Sequence, residues 1–309
     1  MNHPPNPELR NAIAPHRVAA PDQTLATIVA IPKSFEDPHI RLIQTNAIRS
    51  WMELAPKLEV VLCGDDPGVA EFANENGVRH INGIRTNDLG TPFVNDAIRR
   101  AVKETSSPLV VYCNADVILL RDLSVTLVRL LSDQRFDSFL AFGRRTDLDL
   151  QEPVDLSELA NVQRLLKDNR QRGRRGPVVC KEYFVFTRDV VESMPDLTVG
   201  RGNWDNWMVA EARRKNFPVI NTTACVTAIH QTHGYGHTGK SRLNCYVTGV
   251  EARENQRQAG GNHYVRGCSA NWKMTPDKIA PVQLAWLCPD FWKDLPAFLR
   301  LVTQLPFQR

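Results

Sequence analysis

Short apolar runs alternate with helical patterns along the first half of the chain. The runs at 25–31, 58–63, 108–113 and 139–142 have the length and uniform apolarity of buried strands. Between them, apolar residues recur at helical spacing, and Thr91 followed by proline is typical of a helix N-cap. This order predicts an α/β fold with a mostly parallel central sheet, helices on both faces, and ligands at the carboxyl ends of the strands.

The remaining pattern divides the chain into three parts. Residues 1–24 contain five prolines among polar residues, which predicts a poorly ordered arm. Residues 25–240 carry the alternating strands and helices of one domain. Residues 241–309 are predicted to form a helical extension packed on that domain. Its last part, 284–305, is rich in Trp, Phe and Leu, so peripheral contact with a membrane stays open as an alternative.

Composition and cysteine usage indicate an ordinary soluble protein. The chain has 309 residues, of which 42% are hydrophobic, and no run of about 18 apolar residues that could span a membrane. Its seven cysteines are odd in number and contain no Cys-x-x-Cys pair, which argues for reduced thiols rather than disulfides or a structural zinc site. We therefore expect a cytoplasmic protein, with the inner face of the membrane as a further possible location.

The net charge comes from one short segment. Lys and Arg number 38 against 34 Asp and Glu, which leaves +4, and residues 170–175 alone contain four arginines. Without these arginines the two signs balance, so a dedicated nucleic-acid-binding surface is not expected. Glycines 173 and 176 predict a mobile loop here, which could close over a diphosphate or an anionic acceptor. A solvated loop without a ligand is the alternative.

Asn114 and Asp116 follow the third apolar run directly. An aspartate between two apolar segments is costly to bury unless a metal, a cation or hydrogen-bond donors hold it. At the end of a central strand, Asp116 could bind a divalent ion, with Asn114 on the same side. A simple Asx turn that closes the strand is equally compatible with the spacing.

Two tryptophans flank an Asp-Asn pair at 204–207. Flat apolar walls beside a carboxylate suit a sugar ring and a general base, which makes Asp205 a candidate. The competing interpretation makes Asp205 a helix cap and places both tryptophans in the core.

Three histidines lie within eight residues after the last strand-like run. A neutral imidazole is a good ligand for a transition metal, so a histidine of this segment could hold Mn²⁺ together with Asp116. The overlapping segment 234–241 fits the phosphate-loop pattern G-x-x-x-x-G-K-S, but it does not follow the first strand of its own domain. The dinucleotide fingerprint G-x-G-x-x-G is absent after the first strand, which disfavours a Rossmann dehydrogenase.

Taken in chain order, these motifs resemble the GT-A-fold nucleotide-sugar glycosyltransferases over about residues 25–240. Asn114-Ala-Asp116 is similar to their D-x-D motif, Trp204-Asp205 to their x-E-D motif, and His230 to their C-terminal metal-binding histidine. The segments 90–92, 112–119, 204–207 and 229–233 resemble a set of bacterial glycosyltransferases. The chain departs from the family pattern at Asn114 and at Trp204.

The resemblance implies a metal-dependent transferase, of hexosyltransferase type, that uses a UDP- or GDP-sugar donor. It implies Mn²⁺ or Mg²⁺ on Asn114, Asp116 and His230, and Asp205 as the base if the reaction inverts configuration. The implied donor-binding residues are Pro32, Phe35, Asp65, Asp66, Thr91, Asn114, Asp116, Arg144 and Trp204. The acceptor or diphosphate would meet Arg172, Arg174, Arg175, Trp207 and His233. A glycan or lipid-linked acceptor is compatible with this assignment.

Two other functions stay open. One is a phosphate-loop nucleotide hydrolase that uses residues 234–241. The other is a non-catalytic module that binds a sugar nucleotide or a glycan, which the two departures from the family motifs would explain.

Overall fold

The computed structural model describes residues 24–55, 57–177, 181–233, 247–261, 263 and 270–282. The N-terminal arm, the phosphate-loop-like segment and the apolar C-terminal stretch that the sequence singled out lie outside these ranges, apart from residue 24. In chain order the elements are β1 (Ala26–Ala30), α1 (Pro38–Met52), β2 (Leu58–Cys63), α2 (Val69–Glu75), β3 (Arg79–Ile81), α3 (Val94–Glu104), β4 (Leu109–Cys113), β5 (Val117–Leu119), α4 (Arg121–Ser132), β6 (Leu140–Arg144), β7 (Thr146–Leu148), α5 (Leu159–Arg172), β8 (Arg174–Arg175), β9 (Lys181–Thr187), α6 (Trp204–Arg214), β10 (Val219–Asn221), β11 (Ala228–Gln231), α7 (Val250–Gln258), β12 (Trp272–Met274) and β13 (Ile279–Pro281).

Nine strands form the main sheet in the order β13-β12-β10-β6-β9-β4-β1-β2-β3. Pairing is parallel on both sides of β1, between β2 and β3, and on both sides of β10. Strand β9 runs antiparallel to β4 and β6, and β12 runs antiparallel to β13. The predicted α/β fold with a mostly parallel sheet is therefore confirmed.

The sheet separates two hydrophobic cores. Alternate residues of β1 point to opposite faces, so Ile28 belongs to one core and Val29 to the other. Helices α1, α2 and α4 pack on the first face, and α3 and α6 pack on the second. Because both faces are covered, β1, β2 and β4 are largely apolar, which explains the apolar runs in the sequence.

A second sheet of four short strands has the order β5-β11-β7-β8. Strand β11 pairs antiparallel with β5 and parallel with β7, and β7 pairs antiparallel with β8. A small core that includes Ile118, Leu148, Leu165 and Ile229 lies between this sheet and α5. The second sheet fixes the positions of the segments that follow β4 and β11.

The C-terminal part differs from the predicted helical extension. Helix α7 is present, but β12 and β13 are strands that extend the main sheet beyond residue 240. Trp272 of β12 packs edge-on against Phe136, with ring centroids 4.9 Å apart, and this contact holds the added strands. Among the described residues, no helix has the length and apolarity needed to cross a membrane.

The start of α3 also differs from the prediction. The helix begins at Val94 with Phe93 at the N-cap, so Thr91 does not cap it. Thr91 instead donates its hydroxyl hydrogen to the Glu251 carboxylate on α7, which ties the segment before α3 to the C-terminal part of the chain.

Candidate functional site

A cavity of about 290 Å³ lies at the carboxyl ends of the parallel strands. Pro32 lines it after β1, Asp66 after β2, and Asn114 with Asp116 after β4. His230 and His233 enter from the end of β11. The fold therefore brings together residues as far apart in the sequence as Pro32 and His233, at the edge where ligands bind in open α/β sheets.

Asp116, His230 and His233 form a cluster that could hold a metal ion. One ligand atom from each lies within 4.8 Å of the others. Oδ2 of Asp116 is 3.0 Å from Nε2 of His233 and 3.9 Å from Nε2 of His230. The second carboxylate oxygen, Oδ1, is buried with no hydrogen-bond partner in the described part of the chain. A buried carboxylate oxygen without a partner is costly, and a divalent cation would satisfy it, so this donor set fits a metal.

The backbone holds Asp116 firmly. The amide of Val117 donates to the Asn114 carbonyl in the tight turn between β4 and β5. The Asp116 carbonyl accepts from the backbone and side-chain nitrogens of Gln231, at 3.0 and 3.2 Å. The same side-chain amide also donates to the Ile43 carbonyl on α1. These bonds fix the carboxylate before any ligand arrives.

Strand pairing orients His230. In the register of β11 and β7, His230 lies directly opposite Asp147, and Nδ1 of the ring is 2.9 Å from Oδ1 of Asp147. Burial raises the pKa of Asp147, but His230 and Arg145 outweigh it and keep the pKa below its usual value. An ionised carboxylate only accepts hydrogen bonds, so Nδ1 carries the proton and Nε2 keeps its lone pair on the side of Asp116.

The charges within the cluster suit a cation. Burial raises the pKa of Asp116, but His230, His233 and Lys33 together hold it well below its usual value. Burial lowers the pKa of His230, although Asp116 and Asp147 oppose this effect. An anionic aspartate beside a neutral imidazole is the protonation state that a metal site requires.

Asn114 connects the cluster to a second carboxylate. Its side-chain amide donates to Glu182 on β9, and Glu182 also pairs with the Arg145 guanidinium. Nε of Arg145 lies 2.7 Å from Oδ1 of Asp147. A continuous set of contacts therefore runs from Asn114 through Glu182, Arg145 and Asp147 to His230.

Arg144, a donor-binding residue in the sequence-based prediction, does not line the cavity, whereas Arg145 and Arg201 do. The pairing of β6 with β9 shifts register between Phe142 and Arg144, which changes the direction of the residues that follow. The Arg144 guanidinium donates to the Gly176 carbonyl instead, at 3.1 Å from Nε. Glu182 was missed as well. Its signal is a charged pair, Lys181-Glu182, at the start of an otherwise apolar strand.

At the end of the cavity formed by β1 and β2, hydrogen bonds fix the backbone of the segment after β1. Gln44 of α1 accepts from the Lys33 amide at 2.6 Å and donates to the Lys33 carbonyl at 2.9 Å. Lys33, which was not among the residues predicted from the sequence, lines the cavity beside Pro32. Asp66 and Thr91 line it too, and burial together with Asp65 raises the pKa of Asp66.

Two predicted donor-binding residues have other roles. Phe35 is buried in the core and stacks on Phe72, with ring centroids 4.9 Å apart. Asp65 accepts two hydrogen bonds from the Gly83 amide, at 2.8 and 3.0 Å, and does not line the cavity. Phe35 is a core residue because α2 packs its own aromatic ring against the chain directly after β1.

The tryptophans are core residues as well. Trp204 and Trp207 are buried, and Trp204 packs edge-on against Tyr112 and Phe184. The predicted sugar-binding walls are therefore wrong, because α6 turns both rings onto the sheet. The alternative that made Asp205 the helix cap is wrong too, since the N-cap is Asn203, in a left-handed conformation with φ 84°.

Asp205 lies outside the cavity lining. Its side chain is 16% exposed, and Oδ2 is 3.8 Å from the ammonium of Lys181, which is fully buried. Lys181 also donates to Asn206 at 2.9 Å. Burial raises the pKa of Asp205, and Lys181 opposes this shift.

The arginine segment is not a loop. Arg170 and Arg172 lie in the last turn of α5, where Arg172 pairs with Asp168, and Arg174–Arg175 form strand β8. None of these arginines lines the cavity. Gly173 is required at the turn because a Cβ there would lie 2.3 Å from the Asn169 carbonyl oxygen. The glycines that suggested mobility instead allow a close helix-to-strand turn.

Comparison with known proteins gives structural similarity alone. No family model and no curated protein matches the sequence. Glucosyl-3-phosphoglycerate synthase from Mycobacterium tuberculosis, solved with Mg²⁺ and UDP, is 15% identical over 84% of this chain and 89% of its own, with a TM-score of 0.45. The structure of the same enzyme with Mn²⁺, UDP and phosphoglyceric acid is 14% identical over 77% of this chain and 79% of its own, with a TM-score of 0.44. S. aureus TarS 1-349 is 9% identical over 68% of this chain and 58% of its own, with a TM-score of 0.41. These similar structures are GT-A-type glycosyltransferases.

Proposed function

We propose that the chain is a metal-dependent glycosyltransferase that moves a sugar from a nucleoside-diphosphate donor to an acceptor hydroxyl. The observation that carries the proposal is the Asp116–His230–His233 cluster, with its unpaired buried carboxylate oxygen, inside a cavity at the carboxyl ends of the parallel strands. The sequence motifs at 114–116 and 230 add support because they resemble the metal-binding motifs of such enzymes.

Asp116, His230 and His233 would hold the cation, with Asn114 beside them. The ion supplies Lewis-acid stabilisation of the negative charge that develops on the leaving diphosphate. One carboxylate and two imidazoles favour Mn²⁺ over Mg²⁺, because Mg²⁺ prefers oxygen ligands. We therefore propose manganese as the preferred ion.

The donor would bind along the part of the cavity formed by β1 and β2. Pro32 and the fixed backbone of Lys33 offer a surface for the base, and Asp66 offers a carboxylate to the ribose hydroxyls. The Lys33 ammonium adds positive charge next to the diphosphate position. UDP and GDP donors are both compatible with these contacts, so the nucleotide has to be measured.

Asp205 is the proposed base if the reaction inverts configuration. Its raised pKa brings it closer to neutral pH, which suits a general base. Its position outside the cavity lining favours a second candidate function, a non-catalytic module that binds a sugar nucleotide. We also propose that the transferred sugar is a hexose and that the acceptor is a glycan or a lipid-linked molecule. The proposed location of the protein is the cytoplasm, including the inner face of the membrane.

The metal assignment is tested by thermal unfolding with UDP, with and without Mn²⁺. In the wild type, UDP at 100 times its dissociation constant should add about 2.7 kcal/mol to the free energy of unfolding when Mn²⁺ is present. Asp116→Asn should abolish the effect of Mn²⁺. Asp168→Asn makes the same chemical change at an exposed ion pair and should preserve it. Equal Mn²⁺-dependent binding of UDP by both variants contradicts the proposed metal site.

Release of UDP from UDP-sugars distinguishes an enzyme from a binding module. Turnover that depends on Mn²⁺ supports the transferase, and metal-dependent binding without turnover supports the module. The phosphate-loop hydrolase predicts a different outcome, in which Lys240→Ala abolishes activity and Asp116→Asn does not.

A further inference from the structure

Three polar residues form a row across the second sheet. His230 on β11 lies opposite Asp147 on β7, and Asp147 lies opposite Arg174 on β8. Side chains that are directly opposite in paired strands share one face of the sheet. Arg174 therefore starts on the same face as the metal-facing histidine, two strands away. At roughly 4.8 Å per strand, their Cα atoms are about 10 Å apart, within the combined reach of two long side chains and a small ligand.

The neighbouring arginine has the opposite direction. Arg175 is paired with Thr146, so its side chain starts on the other face of the sheet. Both arginines are exposed. In the described part of the chain, neither guanidinium has a hydrogen bond or an ion pair, in contrast to Arg145 and Arg172. Among the described residues, Arg174 is thus an unpaired cation on the face of the second sheet that carries His230. Arg175, its neighbour on β8, is an equally exposed and unpaired cation on the opposite face.

Strand β8 is held firmly enough to direct Arg174. The Gly176 amide donates to the Arg145 carbonyl at 3.0 Å, and the Gly176 carbonyl accepts from Arg144. A Cβ at Gly176 would lie 2.9 Å from Cγ of Arg145, so the end of β8 packs directly on an arginine that lines the cavity. The position of Arg174 relative to the site is therefore set by strand pairing and by packing.

Arg174 does not line the part of the cavity proposed for the donor, where Pro32, Lys33 and Asp66 lie. The second sheet runs from β5 through β11 and β7 to β8. Arg174 is at the far edge of that second sheet. A ligand group that contacts Arg174 while the sugar reacts near the metal cluster is therefore part of the acceptor and not of the nucleotide.

We infer that Arg174 binds an anionic group, a phosphate or a carboxylate, of the acceptor substrate. The planar guanidinium donates two parallel hydrogen bonds to either group, which gives orientation as well as binding energy. This inference rests on the proposed transferase function. It assigns the acceptor to the class of phosphorylated or acidic sugars and their analogues.

The test measures binding of three sugars that differ at C6, which bears a neutral hydroxyl, bears a phosphate ester, or is itself a carboxylate. Protein loaded with Mn²⁺ and UDP is titrated calorimetrically with glucose, glucose 6-phosphate and glucuronate. The wild type should bind at least one of the charged ligands about ten times more tightly than glucose, since a hydrogen bond to a charged group contributes about 1.5–3 kcal/mol. A preference for glucose 6-phosphate alone identifies phosphate as the group, and a preference for glucuronate identifies carboxylate.

Arg174→Gln and Arg175→Gln remove the same charge from opposite faces of one strand. Arg174→Gln should abolish the preference for the charged ligand, and Arg175→Gln should retain it. UDP binding in the presence of Mn²⁺ should be unchanged in both variants, which shows that the fold and the donor site are intact. Arg174→Lys should recover part of the preference, because the charge returns without the planar fork.

The outcomes separate this inference from the proposed function. A wild-type protein that binds UDP with Mn²⁺ but does not prefer a charged ligand overturns the inference alone. Equal loss of preference in Arg174→Gln and Arg175→Gln also overturns it, because it indicates a general charge effect. Failure of the wild type to bind UDP in a metal-dependent way overturns the proposed function and the inference with it.

Discussion

Asp147 and His230 face each other across two paired strands, with Oδ1 of the carboxylate 2.9 Å from Nδ1 of the imidazole. This contact fixes the tautomer of the ring and directs Nε2 towards Asp116. Arg145 and Glu182 continue the network to Asn114. The two segments that carry the candidate ligands, after β4 and at the end of β11, are thus connected by side chains as well as by the backbone.

Asp147→Ala should weaken Mn²⁺ binding by about 10–100-fold, the usual effect of removing a carboxylate that orients a metal-bound histidine. Asp147→Asn should have a smaller effect, since the amide oxygen still accepts from Nδ1. Isothermal titration with Mn²⁺ in the absence of nucleotide measures both. An unchanged dissociation constant in Asp147→Ala contradicts the positioning role, and the exposed Asp168→Asn variant controls for the loss of one negative charge.

Replacing Phe35 should affect stability rather than nucleotide binding. Phe35→Ala removes a buried ring that stacks on Phe72 and should cost about 3–5 kcal/mol of unfolding free energy. Phe35→Leu keeps an apolar side chain in the core. Because Phe35 is buried and does not line the cavity, the dissociation constant of UDP should stay within about twofold of the wild-type value. Urea unfolding and UDP titration measure these effects. A large loss of UDP affinity in Phe35→Leu would show that the base stacks on this ring.

Asp116 was predictable as a site residue because it follows β4, and the carboxyl ends of parallel strands form the ligand-binding edge of the main sheet. His230 is on β11 of the second sheet, and it lies near Asp116 because β11 pairs antiparallel with β5, the strand that begins directly after Asp116. His233 was placed on the acceptor side from the sequence, whereas its imidazole lies 3.0 Å from Asp116. The difference arises because the turn after β11 bends the chain back, and strand periodicity does not describe that turn.

Other residues could not be assigned from the pattern. Trp204 and Trp207 would look the same in a sugar-binding wall as in a core, because aromatic side chains serve both purposes. Choosing between Arg144 and Arg145 requires the register shift in β6, which depends on pairing with a distant strand. The role of Glu182 requires its contacts with Asn114 and Arg145, residues 68 and 37 positions away.

Cys63 should be inert in the folded protein. Its side chain is fully buried at the end of β2, and burial raises the pKa of the thiol to about 12. Because the thiolate is the reactive form, iodoacetamide at pH 8 should leave Cys63 unmodified until the protein unfolds. Peptide mapping by mass spectrometry, in buffer and in urea, measures this site separately from the other thiols. Rapid modification in buffer would contradict the packing of β2 against α3.

Asp205 provides the test that decides between the two candidate functions. If it is the base, Asp205→Asn should lower kcat by about 10²–10⁴-fold while Mn²⁺ and UDP binding stay unchanged. Steady-state rates of UDP release and calorimetric titrations measure these quantities. An unchanged kcat excludes Asp205 as the base, and absence of turnover in the wild type supports the binding module.

The pH dependence of stability gives an independent check on the raised pKa of Asp205. Burial raises its pKa in the folded protein above the value in the unfolded chain, despite Lys181. The folded state therefore binds more protons between these two pKa values, so the stability contributed by this group falls as pH rises through that interval. Asp205→Asn removes the fall. The variant should gain stability relative to the wild type as pH rises from about 3.5 towards neutral. The difference in the free energy of unfolding should stop growing above the pKa of Asp205 in the folded protein. Urea unfolding across this range measures the difference, and a gain in the opposite direction would mean that Lys181 dominates and that Asp205 is a stabilising ion-pair partner.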